Sequence, residues 1–252
     1  MHPVLFTLFG FPVYTYGVLM ALSILLGLPW AARRASARGL SAEDTLQGSI
    51  MMVLCGLVGA RLFYLLYFPA LWSDPIRALT ERGGLVWYGG LIGGVVAGLL
   101  YIHFKKMPLR LFADVMILPA ALGLAIGRIG CLMTGCCFGR ECHLPWAIQF
   151  PPSHETYPMW LHPTQLYESF GVLLILLFLL WFERRAFFKP GLSFSGFLMG
   201  YGVLRFVVEF YRADALALGC LSSSQWMSLA SFVVGLLLLI YWQFRDKPAA
   251  AN

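Results

Sequence analysis

Arg61, Arg128, Arg205, Glu168 and Glu209 sit inside long apolar runs of this 252-residue chain, and their types decide what chemistry it can do. A charged side chain in such a run is expensive unless it faces a bundle interior, water or a partner. Plain neutralisation is one reading, with Arg205 paired to Glu209 and another arginine to Glu168. Three arginines against two glutamates still leave one positive charge in this set. A permanently charged planar fork with five donors is suited to a phosphate at lipid headgroup level, and an anionic phospholipid would complete the balance. Tyr201, Arg205 and Glu209 recur every fourth residue and form one helical stripe, while Gln165 and Glu168 share a face. Tyr14, Tyr16, Tyr88 and His162 fall at the same depth, so six of seven predicted spans supply polar groups to one layer and the seventh supplies little.

Those spans follow from composition. The chain is 60% apolar and only 12% charged, roughly half the charged share of a soluble domain, which excludes an ordinary cytosolic enzyme. Seven blocks are long enough to cross a bilayer as helices: Val13–Ala32, Thr45–Phe68, Leu85–Phe104, Leu111–Met133, Thr164–Phe182, Ser193–Tyr211 and Gln225–Phe244. The expected fold is an all-α integral membrane protein, a single polytopic domain over residues 1–252. Its seven-transmembrane-helix bundle would carry a small cap formed by loops. The start lacks a basic n-region and a cleavage site, so the first span is expected to remain.

Basic residues divide eleven to four between alternating sides, with Arg33, Arg34, Arg38, Lys105, Lys106, Arg110, Arg184, Arg185, Lys189, Arg245 and Lys247 against Arg77, Arg82, Arg140 and Arg212. The positive-inside rule then puts the N-terminus outside and the C-terminus in the cytoplasm. The longer connections, Pro69–Gly84 and Thr134–Pro163, lie on the outer side, the second forming the periplasmic cap. The formal charge of +6 belongs to this asymmetry, and no nucleic-acid partner is expected.

Gly89, Gly90, Gly93, Gly94 and Gly98 give the third span a small-residue face suited to close packing. The segment Gly127–Gly139 holds Gly127, Gly130, Gly135 and Gly139, which would let the chain leave its helix around Arg128 and turn backbone N–H groups toward an anion. Cys55 reads as a packing residue. Cys131, Cys136, Cys137 and Cys142 leave three readings open: disulfides tying the cap, a reactive thiol near Arg128 or Arg140, or a metal site, ranked last because no C-x-x-C pair is present.

Several segments resemble the prolipoprotein diacylglyceryl transferases: Tyr16-Gly17, Tyr88 to Gly94, Gly127 to Gly139, His162 to Glu168, and Gly200 to Arg205 continuing to Glu209 and Arg212. The resemblance implies a multi-pass enzyme of the bacterial inner membrane. It would move the diacylglyceryl group of phosphatidylglycerol to the lipobox cysteine in the signal-peptide region of a preprolipoprotein and release glycerol phosphate. Arg128 and Arg205 would bind the phosphate, with Tyr88 as a third catalytic group. Tyr16, Arg61, Gly89, Gly90, Gly130, Gly139, Gln165, Glu168, Tyr201 and Glu209 would line the substrate site, with no cofactor and no metal. The chain departs from the family pattern at Tyr88, where His is usual, and at Cys131, Thr134 and Cys136, where Asn, Asn and Glu are common. The expected compensation is a thiol activated by the arginines' charge. Two alternatives remain: a divergent relative using thiol, redox or metal chemistry on another acceptor, and a non-enzymatic lipid-binding or lipid-moving protein.

Overall fold

Lipid offers no hydrogen bonds to a backbone, so each apolar block must close its own ladder. In a computed structural model that describes residues 2–68, 86–185, 189–213, 217–218 and 220–245, seven helices do so. They are α1 (Thr15–Ala37), α2 (Ala42–Tyr67), α3 (Trp87–Phe104), α4 (Leu109–Thr134), α5 (Thr164–Phe182), α6 (Leu192–Glu209) and α7 (Ser223–Arg245). All seven are long and apolar enough to cross a membrane. Many of their apolar side chains stay exposed, on α2 Leu54, Leu57, Val58, Leu62 and Leu66. Such a surface is satisfied by acyl chains and would aggregate in water. The protein is therefore an all-α, multi-pass membrane protein. Leu85, the connection Pro69–Gly84 with Arg77 and Arg82, and Lys247 lie outside the described residues.

One boundary is corrected. Val13 and Tyr14 do not open α1 but end strand β2 (Phe11–Tyr14), which pairs antiparallel with β1 (Val4–Leu8). Residues rich in Phe, Val and Tyr favour a strand, and Phe9 and Gly10, both at positive φ, close the hairpin as a two-residue turn.

The chain forms two compact units, Met1–Gly27 with Ile117–Asn252, and Leu28–Met116. In the second unit, α2 and α3 meet through glycines. A Cβ at Gly89 would strike the Gly59 carbonyl and the Phe63 side chain, one at Gly93 the Cys55 carbonyl, and one at Gly56 would crowd Gly90. Gly89 and Gly90 thus serve as the close-packing face that small residues permit between membrane helices. The same unit holds Asp114, fully buried near the start of α4, with Arg38 Nη1 4.0 Å from its carboxylate and Arg34 Nη2 donating to its carbonyl at 3.0 Å.

In the first unit, α1 lies along α4 through a seam in which Tyr16, Met20, Ser23 and Gly27 face Gly130, Gly127, Gly123 and Pro119 in turn. Ser169 of α5 donates to the Ala125 carbonyl of α4 at 2.9 Å. Leu204 of α6 fills the space left by Gly171, and Gly202 lets α6 approach the Ser228 carbonyl of α7. The predicted loop cap is present: β3 (Ile148–Gln149) pairs with β4 (Trp160–Leu161) over buried Phe150, which stacks on His154 at 4.4 Å. A last hairpin, β5 (Ala217–Leu218) and β6 (Leu221–Ser222), leads into α7.

The α2–α3 contact makes a direct prediction. Gly89→Leu should destabilise the protein by about 2 kcal/mol or more, read as a lowered thermal midpoint in detergent. Gly17→Ala, with open space at its Cβ, should leave it unchanged. An unshifted midpoint for Gly89→Leu would refute the contact.

Candidate functional site

The first unit gathers several ionisable groups at one end: the start of α1, the end of α4, the start of α5, the end of α6 and the start of α7. Arg128 Nη2 lies 2.8 Å from Glu168 Oε1, whose side chain is 1% exposed. Tyr201 Oη donates to that same oxygen at 2.7 Å. One turn along α6, Arg205 Nη1 is 2.6 Å from Glu209 Oε2, and Arg212 Nε is 3.7 Å from it. The Tyr201–Arg205–Glu209 stripe is thus real, and Glu168 ties it to Arg128. Both glutamates neutralise arginines, as the plain pairing reading expects. A buried carboxylate needs such partners, because the low dielectric penalises an unpaired charge.

The ion pairs of Arg128, Arg205 and Arg212 with Glu168 and Glu209 do not satisfy every polar atom around them. Arg128 Nε and Gln165 Oε1 are buried with no hydrogen-bond partner among the described residues. Buried polar atoms of this kind call for an explanation, and a bound group is one.

Two expectations about neighbouring segments are corrected. The helix does not open around Arg128: α4 runs on to Thr134, and only Gly135, at φ +80°, ends it. Beyond the helix, the N–H groups of Gly135, Cys136 and Gly139 bond to the carbonyls of Leu132, Cys131 and His162. Gly130 instead admits the Tyr16 ring, and Gly139 fits between His162 and the Tyr211 carbonyl. The seventh helix is no bystander either. Ser222, just before α7, donates to Glu209 Oε1 at 2.7 Å, and Ser224 accepts from Arg205 Nη2 at 3.1 Å. Hydroxyls at a helix start are available because its first turn lacks intrahelical partners.

All six cysteines are free in this structure. Cys142 is buried in the cap, its N–H donating to the Trp160 carbonyl at 2.8 Å. Cys131, Cys136 and Cys137 come together, their sulfurs all within 4.8 Å of one another. The start of α5 fixes the turn that carries two of them. Gln165 Nε2 donates to the Cys136 carbonyl, and Thr164 Oγ1 to the Cys137 carbonyl, each at 2.7 Å. Hydrogen bonds from Cys131 and Cys136 hold the Cys137 thiol below its ordinary value, and the charges of Arg212 and Arg128 act the same way. Tyr16 lies within electrostatic reach of Arg128 and all three thiols.

Arg61, Tyr88, Gly89 and Gly90 belong to the second unit. There Arg61 lies over the Tyr64 ring at 5.4 Å, and Tyr88 packs edge-on to Trp87 at 5.3 Å. The sequence reading missed Arg212 as a site residue and Asp114 altogether. For Arg212 the i, i+3 spacing from Glu209 was the available signal. For Asp114 it was a carboxylate inside a predicted span, opposite Arg34 and Arg38.

Seven apolar helices with arginine–glutamate pairs and a thiol cluster at one end define a polytopic membrane protein with a buried ionic site. Its sequence narrows the class. The chain belongs to the prolipoprotein diacylglyceryl transferase family, whose model matches residues 3–241. It is 36% identical over 250 residues to a phosphatidylglycerol–prolipoprotein diacylglyceryl transferase of Clostridium tetani, covering 98% of this chain and 100% of the relative. Proteins of the same name from Clostridioides difficile and Synechococcus elongatus are 33% and 31% identical, covering 98% and 90% of this chain and 98% and 82% of their own lengths.

Glu209 is the shared partner of two arginines and a hydroxyl. Glu209→Ala should therefore destabilise the protein by about 3 kcal/mol or more, whereas Ser222→Ala should cost about 1 kcal/mol. Thermal unfolding in detergent measures both, and equal effects would show that Glu209 is not the hub.

Proposed function

We propose that the protein transfers the diacylglyceryl group of phosphatidylglycerol to the lipobox cysteine thiol of a preprolipoprotein, releasing glycerol phosphate. Family membership supports the reaction. The observation that carries it to particular residues is the buried Arg128 Nε, which lacks a hydrogen-bond partner among the described residues. Arg128 and Arg205 hold the phosphate, with Tyr16, Tyr201, Gln165, Glu168 and Glu209 around them. The glutamates fix the forks' orientation and leave donors over for the lipid.

In the transfer, the acceptor sulfur attacks the glycerol carbon that bears the phosphate. The C–O bond breaks, and its electron pair stays on the phosphate oxygen. Glycerol phosphate thereby gains a negative charge. Arginines set in a low-dielectric site stabilise that charge without reorganising, which lowers the barrier. Their field also favours the thiolate form of a nearby acceptor thiol. The charge asymmetry supports an N-out, C-in orientation with the reaction at the periplasmic face.

Purified protein incubated with phosphatidylglycerol and a lipobox peptide should attach diacylglycerol to the peptide cysteine and release glycerol phosphate. Lipid exchange without bond cleavage would overturn the proposal. Arg128→Ala and Arg205→Ala should each lower the rate about 100-fold or more while the protein stays folded and membrane-inserted. Arg128→Lys keeps the charge but loses the fork, and should still fall about tenfold or more. Near-normal rates in the alanine variants would remove the phosphate role.

A further inference from the structure

Cys131, Cys136 and Cys137 play no part in the transfer as derived above, yet three chain positions are held so that their sulfurs converge. Zinc–thiolate bonds of about 2.3 Å place three sulfurs around one ion roughly 4 Å apart. The sulfurs here already lie within 4.8 Å of one another. Cys131 stands on the last turns of α4, and Cys136 and Cys137 on a turn pinned by Gln165 and Thr164, so small side-chain rotations close the remaining gap. Among the described residues no fourth His, Cys, Asp or Glu joins the group, and Cys136 is exposed. Three protein ligands with one open position is the arrangement of a zinc site that takes a substrate as its fourth ligand. Zinc with three thiolates carries one net negative charge, and Arg128 and Arg212 both act electrostatically on Cys137. Arg128 is also one helical turn from Cys131, so the thiol cluster neighbours the assigned phosphate site.

We propose that Cys131, Cys136 and Cys137 bind one zinc ion whose fourth position receives the acceptor's cysteine thiol as a thiolate. The acceptor's role rests on the transfer reading above. A free thiol near pKa 8.5 is mostly protonated at neutral pH, and coordination to zinc deprotonates it outright. The proton leaves to solvent, and the zinc-bound sulfur uses a lone pair to attack the glycerol carbon. The C–O bond to phosphate breaks with its electrons on oxygen. A neutral thioether forms and leaves the metal, and glycerol phosphate departs with the second negative charge. Nothing is oxidised or reduced. The chain spacing, which lacks a C-x-x-C pair, hides this site because Cys131 is contributed by a helix and its two partners by the turn beyond.

The test uses the full chain in detergent, purified with zinc sulfate and desalted. About one zinc per chain should remain, falling about tenfold or more when all three cysteines are changed to serine. Cobalt in place of zinc should show sulfur-to-metal charge transfer and tetrahedral d–d bands. A lipobox peptide should shift the d–d bands, and its cysteine-to-serine counterpart should not. Chelator-stripped protein should lose transfer about 100-fold or more and regain it with zinc. Should the triple variant fail to fold, zinc should protect Cys131, Cys136 and Cys137 of the unaltered protein, but not exposed Cys220, from alkylation counted by mass spectrometry. Metal content unaffected by the serines, unprotected thiols, or retained copper in place of zinc would overturn the site. A cobalt spectrum blind to the thiol peptide would overturn the acceptor's role. Full transfer by stripped protein would overturn the activating role and leave the transferase reading standing. A cobalt form that binds the thiol peptide, with no product from the zinc form, would overturn the transferase reading instead.

Discussion

A guanidinium cannot shed its charge at any pH a membrane meets, so each arginine buried at this end of the helices dictates its surroundings. Glu168 answers Arg128, and Glu209 answers Arg205 and Arg212. Tyr201, Ser222 and Ser224 add hydrogen bonds that two carboxylates and three forks do not make among themselves. The arrangement fixes where four helices end. α4 and α6 bring arginines at their C-terminal ends, α5 answers with a glutamate in its second turn, and α7 brings hydroxyls at its start. A helix that slid by one turn would leave a buried charge unpaired, at a penalty of several kcal/mol. The ionic layer therefore specifies register in a protein whose lipid-facing surface specifies very little.

Small residues make that layer possible. Arg128 can reach Glu168 because α1, α4 and α5 lie close together, with Gly130, Gly127 and Gly123 admitting α1 along one side of α4. Gly202 does the same for α6 against α7. Without a hydrophobic effect between helices in lipid, close backbone approach supplies much of the packing energy. Gly127, Gly130 and Gly139, which looked suited to turning N–H groups toward an anion, are used for contact.

The turn after α4 links this scaffold to the thiols. Gly135 ends the helix, His154 Nε2 of the cap donates to its carbonyl, and Gln165 and Thr164 hold the next two carbonyls. Cap, α4 and α5 together thus set the positions of Cys136 and Cys137 against Cys131. Arg128 and Arg212 both act electrostatically on Cys137 in this turn.

The amino-acid sequence alone determined the spans, because hydrophobic length is a one-dimensional property read against a fixed bilayer thickness. It also determined the Tyr201–Arg205–Glu209 stripe and the Gln165–Glu168 face, since helical period converts spacing into direction. Family likeness was legible in the same local segments. Tertiary structure decided which arginine meets Glu168, that Arg212 joins Glu209, and that α7 supplies Ser222 and Ser224. It also decided that three cysteines converge. Each of these depends on contact between segments far apart in the chain, or on how a helix end turns into a loop. Periodicity carries no information about either, because it gives a direction around one helix axis and never a distance to another.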